Sequence, residues 1–222
     1  MFAKAPVPGS VKTRLHTLLS PEEAARLYSA FVADSADTLA QTSAGRKIIA
    51  YTPPSGLGAI RDLLGEVTVE FEYLPQPDGD LGQRMDELLR DCFDEGVERA
   101  VVVGSDSPSL PRSIVDEALT LLQSHRTVLG PCVDGGYYLL GQSAQDERVF
   151  DNVDWSTGQV LEQTLAKLQG EPLGLLPPWY DVDSAAEAAF LKVHLQAIRQ
   201  AGGREGGRSL TVLNQLRLPP PS

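Results

Sequence analysis

Alternating strand-like and helix-like segments constrain the fold of this chain more than any other feature. Residues 100–104 read Ala-Val-Val-Val-Gly, a continuous apolar run typical of a strand buried on both faces of a parallel sheet. Ser20, Pro21 and Glu23 form a capping box with proline at the first helical position, which predicts a helix to about Thr42. The alternation predicts an α/β fold with one open, mixed but mostly parallel sheet and helices on both faces, as in Rossmann-like domains.

Further apolar patterns complete this prediction. Strands are expected at residues 47–51, 67–74, 126–130 and 137–141, and helices at 58–64, from Asp80 onward, at 112–124, 156–168 and 184–200. We expect one domain over residues 1–200. Residues 202–207 are rich in glycine and predict a flexible joint to a tail over 201–222, which closes with three prolines at 219–221.

Charge and cysteine content exclude several functional classes. The 222 residues carry 30 acidic and 19 basic side chains, a net charge of −11, which argues against a general nucleic-acid binder. The two cysteines, Cys92 and Cys132, lack the spacing of a disulfide framework or a zinc site. No apolar run reaches the roughly 18 residues of a membrane span. We therefore expect a soluble, cytoplasmic protein.

Ligands in open α/β folds bind beyond the carboxyl ends of the strands, so the loops there are the candidate sites. The first such loop, residues 4–15, holds Lys4, Lys12 and Arg14 beside Gly9. Clustered cations and exposed backbone amides favour a phosphate-binding loop, although it is not a Walker A sequence. The alternative is a proline-rich, solvated loop.

The second loop, residues 104–111, follows the valine-rich strand. Asp106 stands at the tip of this strand, where a buried carboxylate needs a partner. A divalent cation shared with substrate phosphates would provide one. An Asx-type turn leading into the next helix is the structural alternative.

Two later loops carry carboxylates with two interpretations each. Asp134 precedes two glycines that would let a ligand approach the backbone, but Asp-Gly is also a strong hairpin signal. Asp181 and Asp183 would point the same way in extended backbone, which suits a cation. Ser184 and Glu187 also form a capping box, so Asp183 could simply lie at a helix N-terminus.

Three further segments carry weaker signals. Asp80 and Gln83 have capping-box spacing, and Arg84 could reach an anion. Residues 155–157, Trp-Ser-Thr, predict a helix cap at Ser156. The hydroxyls of this segment could otherwise contact an acceptor substrate. Arginine at position 61 stands where a dinucleotide fingerprint needs glycine, which disfavours NAD binding. The three histidines are scattered and are expected to pack or face solvent.

With these loops in order, the chain resembles a bacterial family of GT-A-like nucleotide-diphospho-sugar transferases, some associated with arsenosugar biosynthesis. The resemblance covers about residues 2–190. It is carried by FAKAPVPGSVKTRL, GDLGQRM, GSDSPSLP, GPCVDGGYYLLG, the WST segment and the late DVD. It implies a Rossmann-like GT-A domain and a metal-dependent, glycosyltransferase-like transferase that releases a nucleoside diphosphate. A similarity of KTRLHTLLSPEEAARL and DLGQRM to 2-phospho-lactate guanylyltransferases implies the alternative, a nucleotidyltransferase that releases pyrophosphate from an NTP.

The chain departs from the family pattern in two places. Pro108 replaces the second acid of the usual Asp-x-Asp motif. Only Met1, Phe2 and Ala3 precede the first loop, where the family has an apolar strand, so we expect a shortened first strand or a truncated start. These departures leave a third alternative, a non-catalytic nucleotide-binding protein.

The resemblance implies that Lys12 and Arg14 hold phosphates and that Asp106 and Asp183 bind metal; the other expected roles come from the residues of the loops. Asp106 and Asp183 would bind Mg²⁺ or Mn²⁺, and Asp106 would also be catalytic, with Asp134 as a possible base for the acceptor hydroxyl. The substrate or nucleotide would contact Lys4, Pro8, Gly9, Lys12, Arg14, Asp80, Arg84, Ser105, Gly135 and Gly136. The expected partners are a nucleotide sugar or an NTP and an acceptor, without nucleic acid, and the oligomeric state is left open.

Overall fold

The computed structural model describes residues 1–219, so the last three residues of the predicted tail, 220–222, lie outside the described chain. The chain divides into two compact units. The first contains residues 1–75, 105–112 and the chain from Asp181 onward. The second contains residues 76–104 and 113–180. Each unit is therefore assembled from segments that are distant in sequence.

The described residues form seven strands and seven α-helices. The strands are β1 (Phe2–Lys4), β2 (Ile48–Thr52), β3 (Glu72–Pro75), β4 (Ala100–Val103), β5 (Thr127–Pro131), β6 (Tyr137–Gln142) and β7 (Leu173–Leu175). The helices are α1 (Pro21–Ala40), α2 (Leu57–Leu64), α3 (Leu81–Asp94), α4 (Arg112–Leu121), α5 (Val160–Lys167), α6 (Ala185–Gln200) and α7 (Gly207–Leu213). Short 3-10 helices occupy Thr13–Thr17, Pro54–Gly56, Gly65–Glu70 and Glu147–Val149.

The first unit is built on a three-stranded parallel sheet in the order β1-β2-β3. Helix α1 begins where the sequence predicts: the Ser20 hydroxyl accepts from the Glu23 amide, and the Glu23 carboxylate accepts from the Ser20 amide. Leu27 and Phe31 of α1 and Ile49 of β2 are fully buried. This unit carries the loops that follow β1 and β4, which the sequence marked as candidate sites.

The C-terminal segment is part of the first unit. Helix α7 packs against α1, and its Leu213 is fully buried. Buried Asp34 of α1 accepts hydrogen bonds from the Ser209 amide (2.7 Å), the Ser209 hydroxyl (2.6 Å) and the Arg208 amide (3.1 Å). The Arg199 guanidinium donates to the carbonyls of residues 203–205. These hydrogen bonds connect residues 203–205 to α6 and residues 208 and 209 to α1.

The second unit contains a four-stranded mixed sheet in the order β4-β6-β5-β7. Strand β6 runs antiparallel to β4 and β5, whereas β7 runs parallel to β5. Leu129, Leu139 and Leu140 are almost completely buried within this unit. Asp134 and Gly135 lie in the turn that joins β5 to β6, so the predicted hairpin is confirmed.

The expected mixed α/β fold is confirmed, with three of the five strand pairings parallel. The strands are, however, divided between two sheets. No helix in residues 1–219 is long and apolar enough to cross a bilayer.

Two elements begin later in the structure than the sequence predicts. The strand predicted at 67–74 starts only at Glu72, since Gly65 at φ 56° leaves α2 and leads into a 3-10 helix. Val69 in this 3-10 helix is 83% exposed, so the alternation of apolar and polar residues here does not indicate a half-buried strand. Ser156 does not cap a helix, because its φ of 65° is left-handed; α5 begins at Val160.

We predict that Asp34→Ala lowers the free energy of unfolding by about 3 kcal/mol, since it leaves the buried Ser209 donors without an acceptor. Thermal denaturation should show a fall in Tm of about 8 °C for a domain of this size. The matched control is Asp37→Ala on the same helix, which removes a partly exposed pair with Arg208 and should cost under about 1 kcal/mol. Equal losses for the two variants would contradict the structural role of Asp34.

Candidate active site

A buried lysine shared by two aspartates is the centre of the first unit's candidate site. The ammonium of Lys12 lies 2.5 Å from Oδ1 of Asp106 and 2.7 Å from Oδ1 of Asp183. The Lys12 side chain is 4% exposed, whereas those of Asp106 and Asp183 are 37% and 41% exposed. The structure thus unites the loop after β1, the loop after β4 and the segment before α6.

The electrostatics of this cluster favour a permanently charged lysine. Burial by itself lowers the pKa of the Lys12 ammonium, but the negative charges of Asp106 and Asp183 outweigh it and raise the pKa above its ordinary value. The ammonium also lies 5.7 Å from the ring centroids of Tyr28 and Phe31 of α1. Lys12 therefore remains protonated across the physiological range.

Tyr28 of α1 links the end of β1 to the Asp106 loop. Its hydroxyl accepts from the Lys4 amide at 2.9 Å and lies 2.8 Å from the hydroxyl of Ser105, which is 3% exposed. Burial, together with the charge of Asp106, raises the pKa of the Tyr28 phenol to about 12. The phenol therefore remains neutral and fixes the positions of β1 and the Asp106 loop.

The first loop, residues 4–15, contains several backbone N–H groups without a hydrogen-bond partner in the described chain. Gly9 (φ 80°) and Lys12 (φ 47°) both adopt left-handed backbone, and the Lys4 ammonium donates to the Ser10 carbonyl at 2.7 Å. The amides of Gly9, Val11 and Lys12 have no hydrogen-bond partner within residues 1–219. Unpaired amides in such a loop are suited to an anion.

Arg14 provides the exposed positive charge of this loop. Its side chain is 74% exposed and its guanidinium lies 3.7 Å from Oδ2 of Asp183. Lys12 and Lys4, in contrast, are engaged by protein oxygens. Arg14 is therefore well placed to contact an added phosphate, whereas the buried Lys12 ammonium is held by the two aspartates.

The segment before α6 separates the roles of its two aspartates. Ser184 and Glu187 form the predicted capping box of α6, so the carboxylate of Asp183 is not needed as the cap. The Ser107 hydroxyl donates to Asp181 at 2.5 Å. The Val182 amide donates to the Asp106 carbonyl at 3.0 Å, which joins this segment to the Asp106 loop.

The charge of the cluster is compatible with a divalent cation. Two carboxylates and one ammonium carry a net charge of −1, and hard cations such as Mg²⁺ prefer carboxylate oxygens. Lys12 occupies the buried side, while more than a third of each aspartate side chain is exposed. The donor set therefore fits a cation bound at the solvent side of Asp106 and Asp183.

The remaining candidate residues belong to the second unit. Asp80 caps α3 through the Gln83 amide, as predicted, and Arg84 donates to the Gly79 carbonyl at 2.8 Å. Asp134 is exposed, and its Oδ1 accepts from the Gly136 amide at 2.9 Å. Gly135 has φ 89°, and a Cβ there would lie 2.1 Å from the Gly158 carbonyl oxygen, so this turn requires glycine.

Sequence reasoning missed three residues of the site. Tyr28 and Phe31 were hidden in the apolar face of α1, where spacing of three residues indicates core packing. Ser107 carried no signal beyond its loop position. The pairing of Lys12 with both aspartates was also not foreseen, because a lysine beside a phosphate-binding loop suggests a phosphate contact.

We predict that Lys12→Met destabilises the protein by about 2 kcal/mol at pH 7, because two neighbouring carboxylates lose their shared counter-charge. Urea denaturation of Lys12→Met, Asp106→Asn and the double variant measures the coupling. Lys4→Met on the same loop is the control, and additive losses in the double variant would contradict a coupled triad.

Comparisons with known proteins address the family and fold. Residues 35–157 match the family described as "Uncharacterized protein conserved in bacteria (DUF2064)". A crystal structure of a "putative nucleotide-diphospho-sugar transferase" from Desulfovibrio desulfuricans G20 is 32% identical, with a TM-score of 0.87 over 96% of this chain and 92% of that one. No curated protein matches the chain.

More distant structures share the fold alone. Rv0371c from Mycobacterium tuberculosis H37Rv is 14% identical, with a TM-score of 0.52 over 86% of this chain and 94% of that one. A CMP:2-keto-3-deoxy-manno-octonic acid synthetase complexed with CTP is 12% identical, with a TM-score of 0.54 over 90% and 97%.

The family match covers more than half of the chain, and the Desulfovibrio relative covers nearly all of it. The resemblance stated from the sequence motifs is thereby confirmed. The chain belongs to the DUF2064 family, and its fold is similar to those of GT-A-like nucleotide-diphospho-sugar transferases and nucleotidyltransferases.

Proposed function

We propose that this protein is a metal-assisted transferase that uses a nucleotide-diphospho-sugar donor and releases a nucleoside diphosphate. The observation that carries the proposal is the Lys12 ammonium, which is buried between Asp106 and Asp183 and belongs to a loop with unpaired amides. A relative that is 32% identical and described as a putative transferase of this class supports it.

The diphosphate of the donor would bind at the first loop. The unpaired amides of Gly9, Val11 and Lys12 offer donors to phosphate oxygens, and the exposed Arg14 guanidinium offers a charge-assisted contact. Lys4 holds the loop in shape through the Ser10 carbonyl. In this proposal Lys12 orients the two aspartates and contributes its charge without leaving them.

Asp106 and Asp183 are the proposed ligands of Mg²⁺ or Mn²⁺. A divalent cation there would change the net charge of the cluster from −1 to +1 and would neutralise charge that develops on the leaving diphosphate. The partly exposed carboxylates suit this role, because magnesium usually keeps substrate oxygens and water in its coordination shell.

In the proposed reaction an acceptor hydroxyl oxygen attacks the anomeric carbon of the donor sugar. The bond from that carbon to the diphosphate oxygen breaks, and its electron pair leaves with the nucleoside diphosphate. The acceptor proton passes to a carboxylate, for which we propose Asp134. Asp134 is exposed, and its Oδ1 accepts a hydrogen bond from the Gly136 amide.

Nucleotidyl transfer is the second candidate. One feature favours it: the two carboxylates come from separate loops, and Pro108 stands where an Asp-x-Asp motif has its second acid. In that reaction the acceptor oxygen attacks the α-phosphorus of an NTP, and pyrophosphate leaves. Both reactions would use the cluster of Lys12, Asp106 and Asp183, so their products are what distinguishes them.

We predict that nucleotide sugars raise the Tm of the wild-type protein more with Mn²⁺ than without it. Ligand at one hundred times its Kd adds about 2.7 kcal/mol to the free energy of unfolding. Asp106→Asn should abolish the Mn²⁺-dependent part, while Asp62→Asn, an exposed acid on α2, should retain it. A thermal-shift panel of nucleotide sugars and NTPs measures both.

Mass spectrometry of the incubated mixtures distinguishes the reactions. A nucleoside diphosphate and a transferred sugar support the proposal, whereas pyrophosphate supports nucleotidyl transfer. Stabilisation without product under any acceptor would mean a nucleotide-binding protein without turnover. Unchanged metal dependence in Asp106→Asn would contradict the proposed cation site.

A further inference from the structure

The second unit contains a cleft whose lining residues have no role in the proposed donor site. Its volume is about 640 Å³, and Asp80, Asp154, Trp155, Thr157 and Gln159 line it. The cleft lies between the N-terminus of α3 and the loop 153–159 that precedes α5. This volume accommodates a molecule of the size of one or two sugar rings.

Trp155 forms an aromatic wall of the cleft and is firmly packed. A Cβ at position 82 would lie 2.2 Å from its indole Nε1, so only glycine allows the ring to lie against the start of α3. Tyr137 meets the indole edge-on and Phe150 stacks on it, each with ring centroids 6.3 Å away. The indole N–H has no hydrogen-bond partner within residues 1–219.

The loop that presents Trp155 is held by a network centred on Gln163 of α5. Gln163 accepts from the Asp154 amide at 2.7 Å and donates to the Asp154 carboxylate at 2.7 Å. The Thr157 hydroxyl donates to the Asp154 carbonyl at 2.6 Å. The wall is therefore preorganised, which reduces the entropy lost when a ligand binds.

The polar lining of the cleft is acidic. Asp80 uses one carboxylate oxygen to cap α3, and Asp154 uses one for Gln163. The second oxygen of each has no partner in the described part of the chain. Among the described residues that line the cleft there is no lysine, arginine or histidine, so the charged side chains that a phosphate group would meet there are both acidic.

We infer that this cleft is a saccharide-binding site for a sugar ring without phosphate. The CH face of the ring would lie on the Trp155 indole, and ring hydroxyls would donate to the free oxygens of Asp80 and Asp154 and accept from the indole N–H. The binding itself does not require the proposed transfer reaction.

Fluorescence titration of the full chain tests the inference. The chain has two tryptophans, so Trp179→Phe leaves Trp155 as the reporter. Glucose and glucosamine should change its emission saturably, with Kd on the order of 1 mM, which is weak as expected for an open cleft. Glucose 6-phosphate should bind at least about tenfold more weakly, since it places an anion beside two carboxylates.

Charge-removing variants provide the matched comparison. Asp80→Asn keeps the helix cap, because asparagine caps as well as aspartate. It should weaken glucosamine binding about tenfold, as should Asp154→Asn. Asp94→Asn at the other end of α3 is the control and should bind as the parent does. Calorimetric titration of wild-type protein checks that Trp179→Phe has not altered the cleft.

Absence of saturable binding by any of the three sugars would overturn the inference. So would equal binding by the Asp80→Asn and Asp94→Asn variants, or preferential binding of glucose 6-phosphate. All titrations are made without nucleotide, so the sugar-binding result can be interpreted even if the donor experiments fail. Conversely, sugar binding without donor binding would support the cleft and count against the transferase.

Discussion

The buried ion cluster of Lys12, Asp106 and Asp183 is the interaction on which the first unit depends. It joins residues 171 positions apart in the chain, and a side chain that is 4% exposed keeps its charge only because two carboxylates face it. The Asp106 loop and the segment before α6 therefore belong to the same unit as β1. Two further sets of hydrogen bonds strengthen this arrangement. The Val182 amide donates to the Asp106 carbonyl, and the Tyr28 hydroxyl contacts Lys4 and Ser105.

In the proposed function, the same cluster accounts for the binding of a phosphorylated donor by an acidic chain. The net charge of −11 argues against polyanionic partners in general. At the first loop, however, unpaired amides and Arg14 offer local positive potential, and the cluster lacks one positive charge for neutrality. A cation and a diphosphate would bind together more favourably than either alone, because each balances the charge that the other brings.

Much of the fold could be predicted from local patterns, because caps and continuous apolar runs act over a few residues. The capping boxes at Ser20, Asp80 and Ser184 and the turn at Asp134 are all where the sequence indicates. The strand expected from Val67 failed because an exposed valine repeats the alternation of a buried strand. Ser156 failed as a cap because Gln163 holds the preceding loop in another conformation.

The candidate site was predictable as a set of loops but not as a set of contacts. Lysine, aspartate and glycine in the loops after strands indicate phosphate and metal chemistry, whichever of them pair with one another. That Lys12 would be neutralised by two aspartates depends on long-range folding, which no local spacing encodes. The role of Arg14 as the exposed cation follows from the same contact, since Lys12 is occupied.

Anomalous diffraction from crystals grown with Mn²⁺ and a nucleoside diphosphate tests the central claim most directly. The account predicts a manganese peak within coordination distance of carboxylate oxygens of Asp106 and Asp183, with the diphosphate at the amides of the first loop. A well-ordered diphosphate without manganese at these two residues, or manganese bound elsewhere with the diphosphate, would contradict it.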